Sequence, residues 1–247
     1  MLTQQEYMNY VDTMERKEFN HRQNSLAKQW DPSHRLLSFR IFLNKESREK
    51  AGPEMQAQIK FIFKELIKQL YGNAQFYQEL ESKRPACWDE MIDCIMRASD
   101  MRTSKATVIN HIDKISSLNL EDEELQFAFY RMLKGTIQWK ERFNPELTTD
   151  QNRLKAYPSL LFYLNFDGAN ATEIKIKIDR APIELLRAIF EDESTVLKII
   201  EVRTSSEFKK QNDAKGFEEM FKGKQKKEIS ANLLDFSINK EDRREYY

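Results

Sequence analysis

Only 6 of the 247 residues are glycine, where average usage near 7% would supply roughly 17. Glycine lets the backbone take positive φ or approach a ligand closely, and phosphate-cradling loops, nucleophile elbows and dinucleotide turns are built on it. Gly52, Gly72, Gly135, Gly168, Gly216 and Gly223 stand singly, no two within five residues of each other. No glycine-built nucleotide site is readable, so no such cofactor is expected. Long stretches also contain nothing that breaks a helix. The scarcity points to architecture before it points to any activity.

The remaining composition narrows the class. A hydrophobic share of 40%, with 16 Phe, 9 Tyr and 3 Trp, describes a folded chain. Forty basic residues balance forty acidic ones, whereas nucleic-acid binders carry a clear basic excess; nucleic acid is therefore not an expected partner. No apolar run approaches the ~18 residues of a membrane span, so no transmembrane segment is expected. The opening MLTQQEYMNYVDTMERKEF lacks the basic-then-apolar pattern of a secretory signal. Cys87 and Cys94 lie seven apart, about 10 Å of helical rise, too far for a disulfide within one helix. They read as small buried apolar side chains in a reducing compartment.

Up to Phe143 the pattern is helical almost throughout. Leu36, Leu37, Phe39, Ile41 and Phe42 form an apolar patch after Pro32, suited to a helix start. Pro53 opens a helix on which Met55, Ile59, Ile62, Phe63, Leu66, Ile67 and Leu70 follow the i, i+3, i+4 rule. Gly72 and Asn73, which tolerate left-handed backbone, end it. Phe76, Tyr77 and Leu80 continue as a short helix to Pro85; Trp88, Met91, Ile92, Ile95 and Met96 share a face of the next. Val108, Ile109, Ile112 and Ile115 predict a further helix, and Leu125, Phe127, Phe129, Tyr130, Leu133, Ile137 and Trp139 another, with Asn119 as N-cap.

The character changes after Pro145. NPELTTDQN at 144–152 is polar and turn-forming, and a domain boundary is placed there. EIKIKID at 173–179 alternates as a half-buried strand with Lys175 and Lys177 on its solvent side. Asp167 and Gly168 predict a turn just before it, leaving 160–166 as a paired strand or, by preference, a short buried helix. Ile183, Leu185, Leu186, Ile189 and Phe190 mark a helix after Pro182; the β-branched run 196–202 predicts a second strand, 206–227 a polar helix, and 229–238 a strand with a bulge. The expected fold is mainly α: an N-terminal helical bundle (1–145) followed by a small C-terminal α/β (α+β) domain (153–247) with three or so strands.

Chemistry-bearing patterns are sparse. His21, His34 and His111 are the only histidines, widely spaced, with no metal-binding pair among them, so no metal is expected. Cys87, near a helix start where the dipole lowers a thiol pKa, with His111 as a base, is the candidate nucleophile of a cysteine-dependent transferase or hydrolase. Asp167, Glu173 and Lys175 match a metal-dependent nuclease pattern at short spacing, with Lys175 equally explained as strand surface. RTSSE at 203–207 holds the letters of an ADP-ribosyltransferase site too compressed to surround one nicotinamide. Lys222, Lys224, Lys226 and Lys227 are a candidate anion-binding cluster for phosphoinositide or another anionic surface, flanked by Glu218, Glu219 and Glu228.

The C-terminal INKEDRREYY, with Glu241, Asp242 and Glu245 behind an apolar stretch, is similar to the secretion signals of Legionella Dot/Icm type IV effectors. The glycine-poor helical body also resembles those proteins, as do RLKAYPSLLFYL at 153–164 and DRAPIELLRAIF at 179–190, which look like a small C-terminal module of unknown function. The resemblance carries no catalytic motif. It implies a virulence-associated protein made in the bacterial cytoplasm, translocated into the host cell, and acting there through a protein partner, either a host protein or another effector. Together with the scarcity of catalytic patterns, it gives a non-catalytic protein-binding module as the expected function.

Overall fold

A computed structural model describes residues 37–101, 115, 117–135, 157–165, 175–205 and 214–237. Most of these lie in eight helices: α1 (Arg40–Leu43), α2 (Lys45–Tyr71), α3 (Gln75–Lys83), α4 (Cys87–Asp100), α5 (Glu123–Lys134), α6 (Ile183–Ile189), α7 (Glu193–Thr204) and α8 (Ala214–Phe221). Four two-residue strands accompany them: β1 (Leu37–Ser38), β2 (Leu164–Asn165), β3 (Ile176–Lys177) and β4 (Leu234–Asp235). The predicted helical class is borne out.

Helix α2 is the spine. Asn44 caps it, its Oδ1 accepting from Ser47 N at 2.9 Å. Gly52 (φ 73°, ψ 168°) breaks the helical backbone, and Pro53 restarts it. From there Ile59, Ile62, Phe63, Leu66 and Ile67 of the predicted stripe are fully buried, joined by Tyr71, while Met55 and Leu70 are only partly buried against the core. Gly72 closes the helix with right-handed backbone (φ −53°) rather than the left-handed geometry expected of it. Lys60 pairs with Asp93 at 2.7 Å and Lys64 with Asp89 at 2.6 Å. Numbers rise along α2 as they fall along α4, so the two helices run antiparallel.

Arg84, in the loop between α3 and α4, bridges Glu90 and Asp122. Asp122, not the expected Asn119, is the N-cap of α5, accepting from Leu125 N at 3.0 Å; it also gains the Arg84 guanidinium at 2.7 Å. The described part of the apolar patch, from Leu37 to Phe42, is a two-residue strand followed by a helical turn: β1 pairs in parallel with β2 (Leu37 with Leu164) before α1 starts.

The C-terminal half departs further from expectation. Residues 196–202, predicted as a strand, belong to α7. Asp192 caps it through Ser194 N, and β-branched residues disfavour a helix by less than about 0.7 kcal/mol each, little against packing. The preferred reading of 160–166 holds for its first part, a 3₁₀ turn (Leu160–Tyr163), and strand β2 follows. The bulged strand at 229–238 is a 3₁₀ turn (Ala231–Leu233) running into β4, which pairs in parallel with β3. The linker at 144–152, the turn at Asp167 and Gly168, and the helix residues Val108, Ile109 and Ile112 lie outside the described residues.

The described parts on either side of that linker share one core. A single buried cluster runs from Leu37 through α2, α4 and α5 to α6, Phe217, Phe221 and Phe236. The most extensive contact between elements is that of α6 with α2.

Candidate functional site

Cys87 opens α4, as expected, and its side chain is fully buried beside Trp88, whose indole stacks on Tyr77 at 4.5 Å. Burial pushes its thiol up to about 12, and the nearby Glu81 and Glu90 carboxylates add to this; the Arg84 guanidinium opposes it only in part. The expected lowering by the helix dipole is therefore overturned. Desolvation acts on the whole charge, whereas the dipole presents about half a charge at the helix end. Cys94 is likewise buried and raised mainly by desolvation. Both thiols are free, matching the reading of small apolar core residues. His111 lies outside the described residues.

The four lysines do not share one surface. Lys222 is paired with Glu218 at 2.6 Å, and Lys224 sits over the Phe221 ring at 5.8 Å. Lys226 turns inward, with 15% of its side chain exposed. Its Nζ binds Glu65 of α2 at 2.5 Å and lies 5.8 Å from the Phe61 ring, while its backbone N–H donates to Ile189 O. With Ser230 N donating to Gln58 Oε1 at 2.9 Å, Lys226 fastens the 226–230 segment along α2. Lys227 borders a cleft of about 430 Å³ beside Phe61 and Ile229. The cluster is in part a staple, a role its spacing did not suggest.

Glu241, Asp242 and Glu245 lie outside the described residues, as do Asp167, Glu173, Ser206 and Glu207. Lys175 is exposed ahead of β3. Arg203 reaches back from α7 to donate to Ala181 O at 2.7 Å. Among the described residues no three His, Cys, Asp or Glu side chains are grouped to hold a metal ion, and no helix is long and apolar enough to cross a membrane.

Two features escaped the sequence reading. Lys177, expected on the solvent side of its strand, is 5% exposed, between the buried Ile176 and Ile178. The alternation of 173–179 looks like a one-sided strand, but β3 is covered on both faces. The second feature is α7. Val196 and Ile199 point into the core, fully buried, yet Leu197 on the other side is 53% exposed. Ile200 and Val202 are partly buried against the same core, so Leu197 is the apolar side chain of α7 left outside, among polar neighbours. The start signal that would have identified it is Asp192 followed by Glu193, a cap and a first-turn acid. Comparison with known proteins places the chain beside none of them: no family model, curated protein or solved structure matches it.

Proposed function

We propose that the chain is a protein-binding module that acts by docking rather than by catalysis, with the outer face of α7 as its contact surface. The supporting observation is Leu197, a large apolar side chain left more than half exposed on a helix whose opposite face is fully engaged with the core. Apolar side chains at the centre of a contact, ringed by polar ones, carry most of the energy in protein interfaces. Here Lys198 and Glu201, paired at 2.9 Å, and Ser194 supply polar neighbours on the same helix. The burial of Cys87 favours this reading over the cysteine-dependent one. The resemblance of the C-terminal tail to Dot/Icm effectors gives the partner as a host protein or another effector, met after translocation from the bacterial cytoplasm.

The test is capture of a binding partner by the full chain and by Leu197→Glu. The substituted site faces solvent, so stability should move by no more than about 0.5 kcal/mol. Loss of a partner held by the wild-type chain, with the circular dichroism spectrum unchanged, is the expected result. Recovery of the same partners in the same amounts by Leu197→Glu would remove α7 as the contact surface.

A further inference from the structure

The turn between β3 and α6 buries a carboxyl group that its surroundings do not satisfy. Asp179 has only 8% of its side chain exposed, and its Oδ1 accepts no hydrogen bond. The other oxygen, Oδ2, lies 3.6 Å from Arg180 Nε, close enough for charge attraction but too long for a good hydrogen bond. The charged groups around it are Lys177 on β3, Arg180 in the turn, Arg203 from α7 and Asp235 from β4; Glu184 stands in the first turn of α6. Arg203 is already engaged with Ala181 O, and Asp235 Oδ1 accepts from Ser237 N at 2.8 Å. Desolvation dominates, ahead of the neighbouring cations, and raises the carboxyl above its ordinary range.

The same turn is held by few bonds. Ile178 N donates to Asp235 O at 3.0 Å, and Ala181 N to Lys177 O at 3.0 Å. The β3–β4 ladder beside it is two residues long. An ionised carboxylate with one oxygen lacking a donor is costly in such a place, and local opening that hydrates it breaks these contacts together with the Arg203 bond to Ala181 O.

We propose that residues 178–182 form a pH-sensitive latch, closed while Asp179 is neutral and opened when Asp179 ionises and turns out to water. The sign follows from linkage. A carboxyl that holds its proton more tightly in the closed state than in the open one stabilises the closed state most at low pH. That contribution declines as pH rises from the ordinary aspartate value of about 4 to the buried value, by up to about tenfold per pH unit.

Hydrogen exchange at the Ile178 and Ala181 amides reads the latch, with rates corrected for the intrinsic pH dependence of exchange. In the wild-type chain their protection falls as pH is raised from about 4 to 7, towards that tenfold-per-unit limit, while amides in the middle of α2 keep theirs. In Asp179→Asn, which cannot ionise, protection at the two amides stays level across the same range. Asp235→Asn removes a neighbouring negative charge, so the fall still begins at about pH 4 but ends at lower pH and is smaller in total, a second test should Asp179→Asn fail to fold. Level protection in the wild-type chain, or the same fall in Asp179→Asn, would overturn the latch. The first outcome would mean that Arg180 or Lys177 swings in to satisfy the carboxylate.

Discussion

Replacing Phe63 by alanine should destabilise the fold by about 4 kcal/mol, the middle of the range for truncating a fully buried phenylalanine. The ring is completely buried on α2. It sits 5.2 Å from the Phe39 ring and 5.5 Å from that of Phe42, and those two are 5.1 Å apart in an edge-on pair. Truncation removes two of the three contacts in this trio, each worth about 0.5–1.5 kcal/mol beyond area burial, and leaves a cavity walled by rigid rings. The loss also travels. Phe39 N donates to Asn165 O at 2.9 Å beside the β1–β2 ladder, so loosening Phe39 weakens the strand pairing between distant parts of the chain. Urea unfolding should show a lower midpoint at an unchanged slope. A cost below about 1.5 kcal/mol, the scale of a tolerated repacking, would mean that the trio is not closely packed.

Gly135→Ala should cost about 3 kcal/mol, the upper end of the strain range for a side chain at positive φ. Gly135 closes α5 with φ +63°, a region where a side chain is strained by roughly 1–3 kcal/mol. A Cβ added there would lie 2.7 Å from the carbonyl carbon of Pro158 and 2.8 Å from Ser159 Cα. These are backbone atoms and cannot rotate away, so the 157–159 segment must move. That segment is pinned: Ser159 Oγ donates to Leu133 O, and Tyr71 Oη lies 3.1 Å from Pro158 O and 3.2 Å from Met132 O. Moving it strains the meeting of α2, α5 and the start of β2. For a chain of this size the melting temperature should fall by about 6–12 °C. Gly52→Ala is the control: φ is also positive (73°), but nothing lies within 4 Å of the added carbon, so its cost should be distinctly smaller. Equal costs at the two positions would contradict the role given to close approach at Gly135.

The contrast between these two glycines marks how far the sequence could be read. Scarcity of glycine correctly announced a helical chain, because α2, α4 and α5 need only periodic apolar residues and caps, both local features. It could not identify which glycine holds a tight approach. The expected turn at Gly168 lies outside the described residues, while Gly135, read only as lying within a helix, meets a segment more than twenty residues further on. The same limit explains α7. Its β-branched residues are a weak local preference, overruled by the Asp192 cap and by packing on α6. Lys177 and Cys87 fail for one shared reason: their behaviour is set by burial, and burial depends on what the rest of the chain brings to cover them. The lysine cluster was legible as charge. Its partner Glu65, on α2, was not.

The parallel pairing of β1 with β2 and the packing of α6 on α2 both cross the boundary that the polar segment at 144–152 suggests. Both halves therefore contribute to a single core, and on α7 Leu197 is left more than half exposed outside it. Inserting a protease site into 144–152 and cleaving the folded protein tests this most directly. The two fragments should co-elute as one species and unfold together in a single transition. Fragments that separate under native conditions, each still folded and melting independently, would contradict it.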